Sequence, residues 1–299
     1  MRDENEPGSE AQEQRGAVSV PIPHAVSRGR SGWITVADRI IGPLAFFVSI
    51  YLATFLVALR LTPWTQWAAF VSVVVATVAS VALWDRGRWN LGLIVPPALA
   101  VRESLLGMAV AAGVIGGADL LVVLTTEVRR QPGNGFPFFE LVAVFIPAVL
   151  HEELLFRGYA FQRLWSWSRW LAVALGSVIF AALHAWNQSV TPLALINILL
   201  GGVLLSLAWE RYRRLWFPIG LHFGWNLMSG PILGYEVSGY VPGERLLRTS
   251  ATGPVWLTGG AFGIEGSIWI TVVVLVAIVM TVVGPTPDNR QPTTDNRNT

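Results

Sequence analysis

The stretch "IIGPLAFFVSIYLATFLVAL" (residues 40–59) carries no charged side chain over its whole length. A helix that crosses a bilayer needs about 20 predominantly apolar residues, because the hydrocarbon core is about 30 Å thick and each residue adds about 1.5 Å. The stretch therefore predicts a transmembrane helix. Seven further apolar runs follow, at residues 64–84, 104–126, 139–164, 169–187, 191–209, 215–234 and 267–284. Together they predict an all-α, polytopic membrane protein with about eight transmembrane helices.

The composition of the 299-residue chain agrees with this class and excludes several others. Hydrophobic residues make up 53% of the chain and charged residues only 13%, against roughly 25% charged residues in soluble domains. The 21 basic residues are all Arg, the net charge is +2, and no interleaving of Arg with aromatic residues suggests a nucleic-acid partner. Because the chain has no Cys, disulfides, thiolate metal sites and a cysteine nucleophile are excluded.

Polar segments flank the predicted membrane domain, which covers residues 39–284. Residues 1–38 and 285–299 are predicted to be disordered tails. With the N-terminus in the cytoplasm, the inner segments hold 15 Arg and the outer loops hold five. The positive-inside rule therefore predicts that both termini are cytoplasmic, in a plasma membrane. The longest connection between spans, residues 235–266, is Gly-rich, and a solvated connector is favoured there over a mobile lid.

Three of the four charged side chains of the mostly apolar run "AVLHEELLFRGYAFQRL" (residues 148–164) lie close together, within residues 152–157. Each costs about 2.5–3.5 kcal/mol near the centre of a membrane helix unless it is paired. Glu153 and Arg157 are four residues apart, so they share a helix face and are predicted to form an ion pair. Glu152 lies about 100° around the helix and has no local partner. Glu152 is therefore the carboxylate that is available for chemistry.

Polar side chains that could meet Glu152 lie in two other predicted spans. His184 stands in "FAALHAWN" (residues 180–187), with Phe180 one turn earlier, and His222 stands in "GLHFGWN" (residues 220–226), with Asn226 one turn later. Counted from the cytoplasmic ends of their helices, all lie between roughly 10 and 23 Å deep. Each residue alone could simply hold two helices together. Their similar depth predicts that they meet near the middle of the membrane.

This set of side chains suits the hydrolysis of a carbonyl compound in two ways. Glu152 could act as general base to a water molecule, while two His and an Asn donate hydrogen bonds to a developing oxyanion. Alternatively Glu152, His184 and His222 could bind zinc, since two His and one Glu form a known catalytic ligand set. The local sequence "HEELL" is not the zinc motif HExxH. The spacing leaves hydrolysis with and without a metal open.

Three short motifs resemble those of the CAAX prenyl protease and bacteriocin-processing (Abi) family of intramembrane endopeptidases. The motifs are "EELLFR" (152–157) for EExxxR, "FAALH" (180–184) for FxxxH and "HFGWN" (222–226) for HxxxN. They occur in the order of the family, on successive membrane spans with one span between the second and third. The similar region runs from about residue 90 to residue 235.

The resemblance implies an eight-helix membrane bundle that hydrolyses a peptide bond of a peptide or of a membrane-associated protein, within or near the bilayer. It implies that Glu152 activates the water, that His184 and His222 orient the water or bind a metal, and that Asn226 stabilises the oxyanion. The remaining motif residues would support the site: Glu153, Arg157 and Phe180. The resemblance does not settle whether zinc is used, which substrate is cleaved or how many copies assemble.

Two other functions fit the same residues. A transporter or proton-relay protein could pass protons along Glu152 and the two His. Transporters often consist of two repeated halves, and the sequence shows no convincing internal repeat. A protease-like scaffold that binds a partner without catalysis is the second alternative, and the three intact motifs argue against it. The sequence therefore predicts an intramembrane endopeptidase.

Overall fold

The computed structural model describes residues 37–87, 89 and 91–284 of the chain. The two predicted tails lie outside these residues, apart from positions 37 and 38. Within the described part, nine helices of seven or more residues and one two-stranded sheet form the fold. The helices are α1 (Gly42–Leu61), α2 (Thr65–Ala79), α3 (Pro97–Thr125), α4 (Ile146–Phe156), α5 (Tyr159–Trp165), α6 (Arg169–Leu183), α7 (Pro192–Tyr212), α8 (Trp216–Leu227) and α9 (Ile268–Val283).

Five helical segments of the described chain are long and apolar enough to cross a membrane. All five coincide with predicted spans, and the first begins with a wide turn that precedes α1. The predicted all-α, polytopic membrane fold is therefore confirmed. The segments are Asp38–Leu61, Thr65–Trp84, Pro97–Thr125, Arg169–Trp186 and Pro192–Tyr212.

The other three predicted spans are helical but shorter or interrupted. α9 has 16 residues, and α8 has 12 residues followed by a wide helical turn at Met228–Ile232. The span predicted over residues 139–164 is not one helix, because the chain breaks between α4 and α5 at Gly158. A Cβ at Gly158 would lie 2.1 Å from the Leu154 carbonyl oxygen. Only glycine fits this turn, and the prediction of one continuous span there was wrong.

Close contact between α3 and α8 positions one wall of the bundle. A Cβ at Gly220 on α8 would lie 2.1 Å from the Ser104 carbonyl oxygen, and a Cβ at Gly107 on α3 would lie 2.4 Å from the Phe217 carbonyl oxygen. Small residues allow two membrane helices to pack backbone against backbone, which increases their van der Waals contact. As α8 carries His222 and Asn226, this contact fixes the height and rotation of two predicted site residues.

The remaining helices complete the bundle around α8. α4 packs against both α2 and α8, α6 packs along α7, and α9 packs against α3 and α7. The break between α4 and α5 places the end of α4, with Glu153 and Arg157, inside the bundle, where both side chains are buried. α6, α7 and α8 therefore surround one internal space, and α4 packs beside it against α8.

Residues 235–266, here called the cap segment, close one end of this space. The cap segment includes strand β2 (Leu247–Thr252), which pairs antiparallel with β1 (Glu127–Pro132). Its C-terminal part is deeply packed, since Phe262 and Ile264 have no exposed surface. The expectation of a solvated connector is wrong for this part of the segment, because glycines let its backbone press closely against neighbouring chain.

Candidate active site

The ion pair predicted within α4 is confirmed. Arg157 Nη1 lies 3.1 Å from Glu153 Oε1, and both side chains are completely buried. Arg157 also donates from Nη2 to the Gly202 carbonyl oxygen of α7 at 3.0 Å. A buried guanidinium without such partners would be very costly. The pair therefore fastens the C-terminal end of α4 to the middle of α7.

Glu153 has a second partner that local spacing did not predict. His222 Nδ1 donates a hydrogen bond to Glu153 Oε1 at 2.8 Å, so the same oxygen accepts from Arg157 and from His222. A carboxylate that accepts from Nδ1 keeps the proton on that nitrogen, and Nε2 of the neutral imidazole is then an acceptor. Glu153 therefore has a second contact beside the predicted ion pair, and this contact sets the tautomer of a neutral His222 ring.

Glu152 lies beside His222 without bonding to it. Glu152 Oε2 is 3.7 Å from His222 Nε2, beyond direct hydrogen-bond distance. This oxygen is buried, and it accepts no hydrogen bond from any residue that the structure describes. An unsatisfied buried acceptor costs about 1–3 kcal/mol of stability. A native protein keeps such an atom for a reason, and a catalytic role is one such reason. The availability predicted for Glu152 therefore holds in the folded chain.

His184 is held by the helix that carries it. Its Nδ1 donates to the Phe180 carbonyl oxygen at 2.7 Å, at the point where α6 tightens into the turn His184–Trp186. The ring of Phe180 lies 4.6 Å from the His184 ring and 6.1 Å from the His222 ring, and the Arg157 guanidinium stacks 5.0 Å from it. Phe180 is therefore an aromatic spacer between the two imidazoles, and its ring also contacts the Arg157 guanidinium.

A cavity of about 60 Å³ lies between α6, α7, α8 and the cap segment. This volume holds a few water molecules. Of the four residues predicted to be catalytic, His184, His222 and Asn226 line the cavity, whereas Glu152 does not and reaches the site only beside His222. The full lining is Phe180, His184, Asn197, Ile198, Gly201, Leu204, Leu205, Leu221, His222, Trp225, Asn226, Ser238 and Glu265.

Three polar residues of this lining were missed by sequence reasoning: Asn197, Ser238 and Glu265. Asn197 is a lone amide in the apolar helix α7, and Glu265 is a lone carboxylate in the Gly-rich stretch "GGAFGIEGS" (residues 259–267). The isolation of each polar residue in an apolar stretch was the sequence signal that could have marked Asn197 and Glu265 as site residues. Nothing in the local spacing of the cap segment indicated that it folds back onto the site.

The predicted zinc ligands are not gathered into a binding set. Among the described residues, no group of three or more His, Cys, Asp or Glu side chains could hold a metal ion. His222 Nδ1 is engaged by Glu153, and His184 Nδ1 by a carbonyl oxygen. Zinc binding by Glu152, His184 and His222 stays a prediction, and the chemistry below uses no step through a metal.

The fold and this buried cluster of ionisable side chains define a multi-pass α-helical membrane protein with a polar site inside the bundle. Residues 134–228 match the family model of the Type II CAAX prenyl endopeptidase Rce1-like proteins. That range contains all of the predicted site residues. The resemblance to the CAAX-protease family is thus confirmed for this part of the chain.

Two curated relatives are similar to part of the chain. One is the "Uncharacterized 24.3 kDa protein" of Escherichia coli, 36% identical over 85 residues, which are 27% of this chain and 38% of that protein. The other is the "UPF0177 protein YbdI" of Lactococcus lactis subsp. lactis (strain IL1403), 30% identical over 114 residues, which are 35% of this chain and 58% of that protein. The chain thus spans less than two thirds of either relative. No solved structure matches it.

Proposed function

We propose that this protein is an intramembrane endopeptidase that hydrolyses a peptide bond of a peptide or membrane-associated protein, with Glu152 as the general base. One observation carries the proposal: the unpartnered oxygen of Glu152 faces Nε2 of His222 at 3.7 Å, next to a cavity lined by His184 and Asn226. The relation to a protease family supports the same reaction class.

The distance between Glu152 and His222 supports a water molecule as the nucleophile. Both facing atoms are acceptors, because Nδ1 of His222 holds the imidazole proton against Glu153. Two acceptors do not bond to each other, but one water can donate a hydrogen to each. Glu152 would take one proton as the hydroxide adds to the carbonyl carbon, and would pass it to the amine nitrogen as the C–N bond breaks.

The other residues of the site have separate roles in this proposal. The Asn226 side-chain amide donates to the oxyanion of the tetrahedral intermediate, a contact that becomes stronger as the charge develops. His184, with Nδ1 held by the Phe180 carbonyl oxygen, presents Nε2 as an acceptor that orients water or the substrate amide. Glu153, Arg157 and Phe180 act through the imidazoles, whose tautomer and position they set.

Comparative profiling of N-terminal peptides tests the proposal. Membranes that contain the wild type are compared with membranes that contain Glu152→Gln, which keeps the shape of the side chain but removes the base. Glu127→Gln, an exposed residue of β1, is the matched control. New N-termini are expected with the wild type and the control, and a loss of about 10²–10⁴-fold in their rate of formation with Glu152→Gln. Equal cleavage by wild type and Glu152→Gln rejects the assignment.

Zinc is measured on the same preparations. The metal content of the wild type and of two His variants decides between hydrolysis with and without a metal. One zinc per chain in the wild type, lost in His184→Ala and His222→Ala, would add a metal to the site. A metal content that does not change with these variants would leave water activation to Glu152 alone.

We also propose that both termini face the cytoplasm and that the protein resides in the plasma membrane. The distribution of Arg between inner and outer segments supports this orientation. Because the chain has no Cys, single cysteines placed in either tail and in the exposed residue Glu244 of the cap segment can be labelled without background. An impermeant thiol reagent outside the cell is expected to label position 244 and neither tail.

A further inference from the structure

Glu265 joins the cap segment to the helix that carries His222 and Asn226. Its Oε1 accepts a hydrogen bond from Trp225 Nε1 at 2.5 Å, and Trp225 directly precedes Asn226 on α8. Its Oε2 accepts from the Ser238 backbone N–H at 2.5 Å and from the Ser238 hydroxyl at 2.7 Å. One carboxylate thus connects α8 to two distant parts of the cap segment.

The same connection extends to the helices that bear the other site residues. Asn187, just after the His184 turn, donates from Nδ2 to the Ser238 carbonyl oxygen at 3.0 Å. Asn197 of α7 donates from Nδ2 to the carbonyl oxygens of Glu265 and Ser267, at 2.8 Å each. The cap segment is therefore hydrogen-bonded to α7, to α8 and to the chain that follows α6, the three elements that line the cavity with it.

The carboxylate of Glu265 is held in place by hydrogen-bond donors rather than by a positively charged side chain. Glu265 is only 5% exposed, and no Arg or His of the described residues forms a salt bridge with it. Three donors point at its two oxygens instead: Trp225 Nε1, the Ser238 backbone N–H and the Ser238 hydroxyl. Because one side chain accepts all three of these hydrogen bonds, a substitution that removes an acceptor oxygen is expected to loosen the cap segment and α8 together.

We propose that Glu265 is a positioning residue of the candidate active site, which fastens the cap segment over the cavity and holds Asn226 in place through Trp225. The effect on catalysis rests on the proposed function, whereas the fastening of the cap segment does not. Two independent measurements therefore test the effect on catalysis and the fastening of the cap segment separately.

The first measurement is steady-state hydrolysis of a fluorogenic peptide, taken from a cleavage site that the N-terminal profiling identifies. Glu265→Gln keeps the size of the side chain but places an amide N–H where an acceptor is needed. A fall in kcat of at least tenfold is expected, with KM within about threefold, because Asn226 acts on the transition state. Trp225→Phe and Ser238→Ala each remove one donor and are expected to lower kcat less. Glu244→Gln, an exposed carboxylate of the same segment, is the control.

The second measurement needs no activity. Gly201 lines the cavity on α7, and a Cβ at this position meets no atom within 4 Å. Gly201→Cys therefore places the only thiol of the chain in the cavity wall without a clash. A charged methanethiosulfonate reagent is excluded from lipid and reports the aqueous route past the cap segment. Labelling is expected to be at least tenfold faster in Glu265→Gln than in the Glu244→Gln background. Uncharged N-ethylmaleimide verifies that the thiol is reactive in both.

The kinetic and labelling results together distinguish a failure of the proposed role of Glu265 from a failure of the proposed function. An unchanged labelling rate in Glu265→Gln overturns the proposal whatever the kinetics show. Faster labelling with an unchanged kcat also overturns it, because Asn226 would then not depend on Glu265. If the wild type cleaves no peptide, the proposed function fails, and the labelling rate still decides whether Glu265 fastens the cap segment.

Discussion

Glu153 and His222 are joined by a 2.8 Å hydrogen bond between Oε1 and Nδ1, although they lie 69 residues apart in the chain. Because the same oxygen accepts from Arg157, the carboxylate links an ion pair of α4 to an imidazole of α8. When the imidazole is neutral, this bond keeps its proton on Nδ1 and leaves Nε2 of His222 as an acceptor beside Glu152. Of the two adjacent glutamates, Glu153 is thus held by Arg157 and His222, whereas Oε2 of Glu152 accepts no hydrogen bond from any described residue.

Replacement of Glu153 by Gln is expected to lower the free energy of unfolding by about 3–5 kcal/mol, because it leaves the buried Arg157 guanidinium without its counter-ion. Unfolding in detergent micelles, followed by the protection of introduced cysteines, measures the change. A double-mutant cycle with Arg157→Met is expected to show strong coupling, since the second change removes the stranded charge. Additive effects would show that the two residues act independently.

Replacement of Phe180 by Leu tests the spacer between the two imidazoles. The substitution keeps most of the apolar volume, so a loss of stability of about 1.5 kcal/mol or less is expected. Activity is expected to fall more than stability, because the ring contacts with His184, His222 and Arg157 are lost. Hydrolysis and thermal unfolding are compared in the same detergent. Parallel losses of both would assign Phe180 to packing alone.

Replacement of Asn226 by Ala is expected to reduce kcat by about 10²–10³-fold, the usual effect of removing one oxyanion donor. KM is expected to change little, because the ground-state carbonyl carries only a partial charge. Steady-state kinetics on the fluorogenic peptide separate the two constants. A variant that raises KM and keeps kcat would instead place Asn226 in substrate binding.

Replacement of Gly220 by Ala is expected to force α8 away from α3, because the new Cβ would lie 2.1 Å from the Ser104 carbonyl oxygen. Both stability and hydrolysis should fall, since α8 carries His222 and Asn226. Gly116→Ala on α3 is the matched control, as a Cβ there meets no atom within 4 Å. Thermal unfolding and activity are measured for both. Equal behaviour of the two variants would show that the close approach is not required.

The positions of the membrane helices were largely predictable, because the length and hydropathy of a run decide whether it can cross a bilayer. Five of the eight predicted spans are long apolar helices. The prediction was least accurate over residues 139–164, where Gly158 ends α4 inside an apolar run. The reason is steric and depends on the Leu154 carbonyl oxygen, which hydropathy does not register.

The sequence by itself determined the contacts between side chains of one helix. The ion pair of Glu153 with Arg157 follows from the helical repeat, and so does the isolation of Glu152 on the neighbouring face. Only the tertiary structure decided which distant groups meet: His222 with Glu153, and Glu265 with Trp225. The physical reason is that a repeat of 3.6 residues per turn specifies a face of a helix, whereas the partner of that face depends on how separate helices and the cap segment pack.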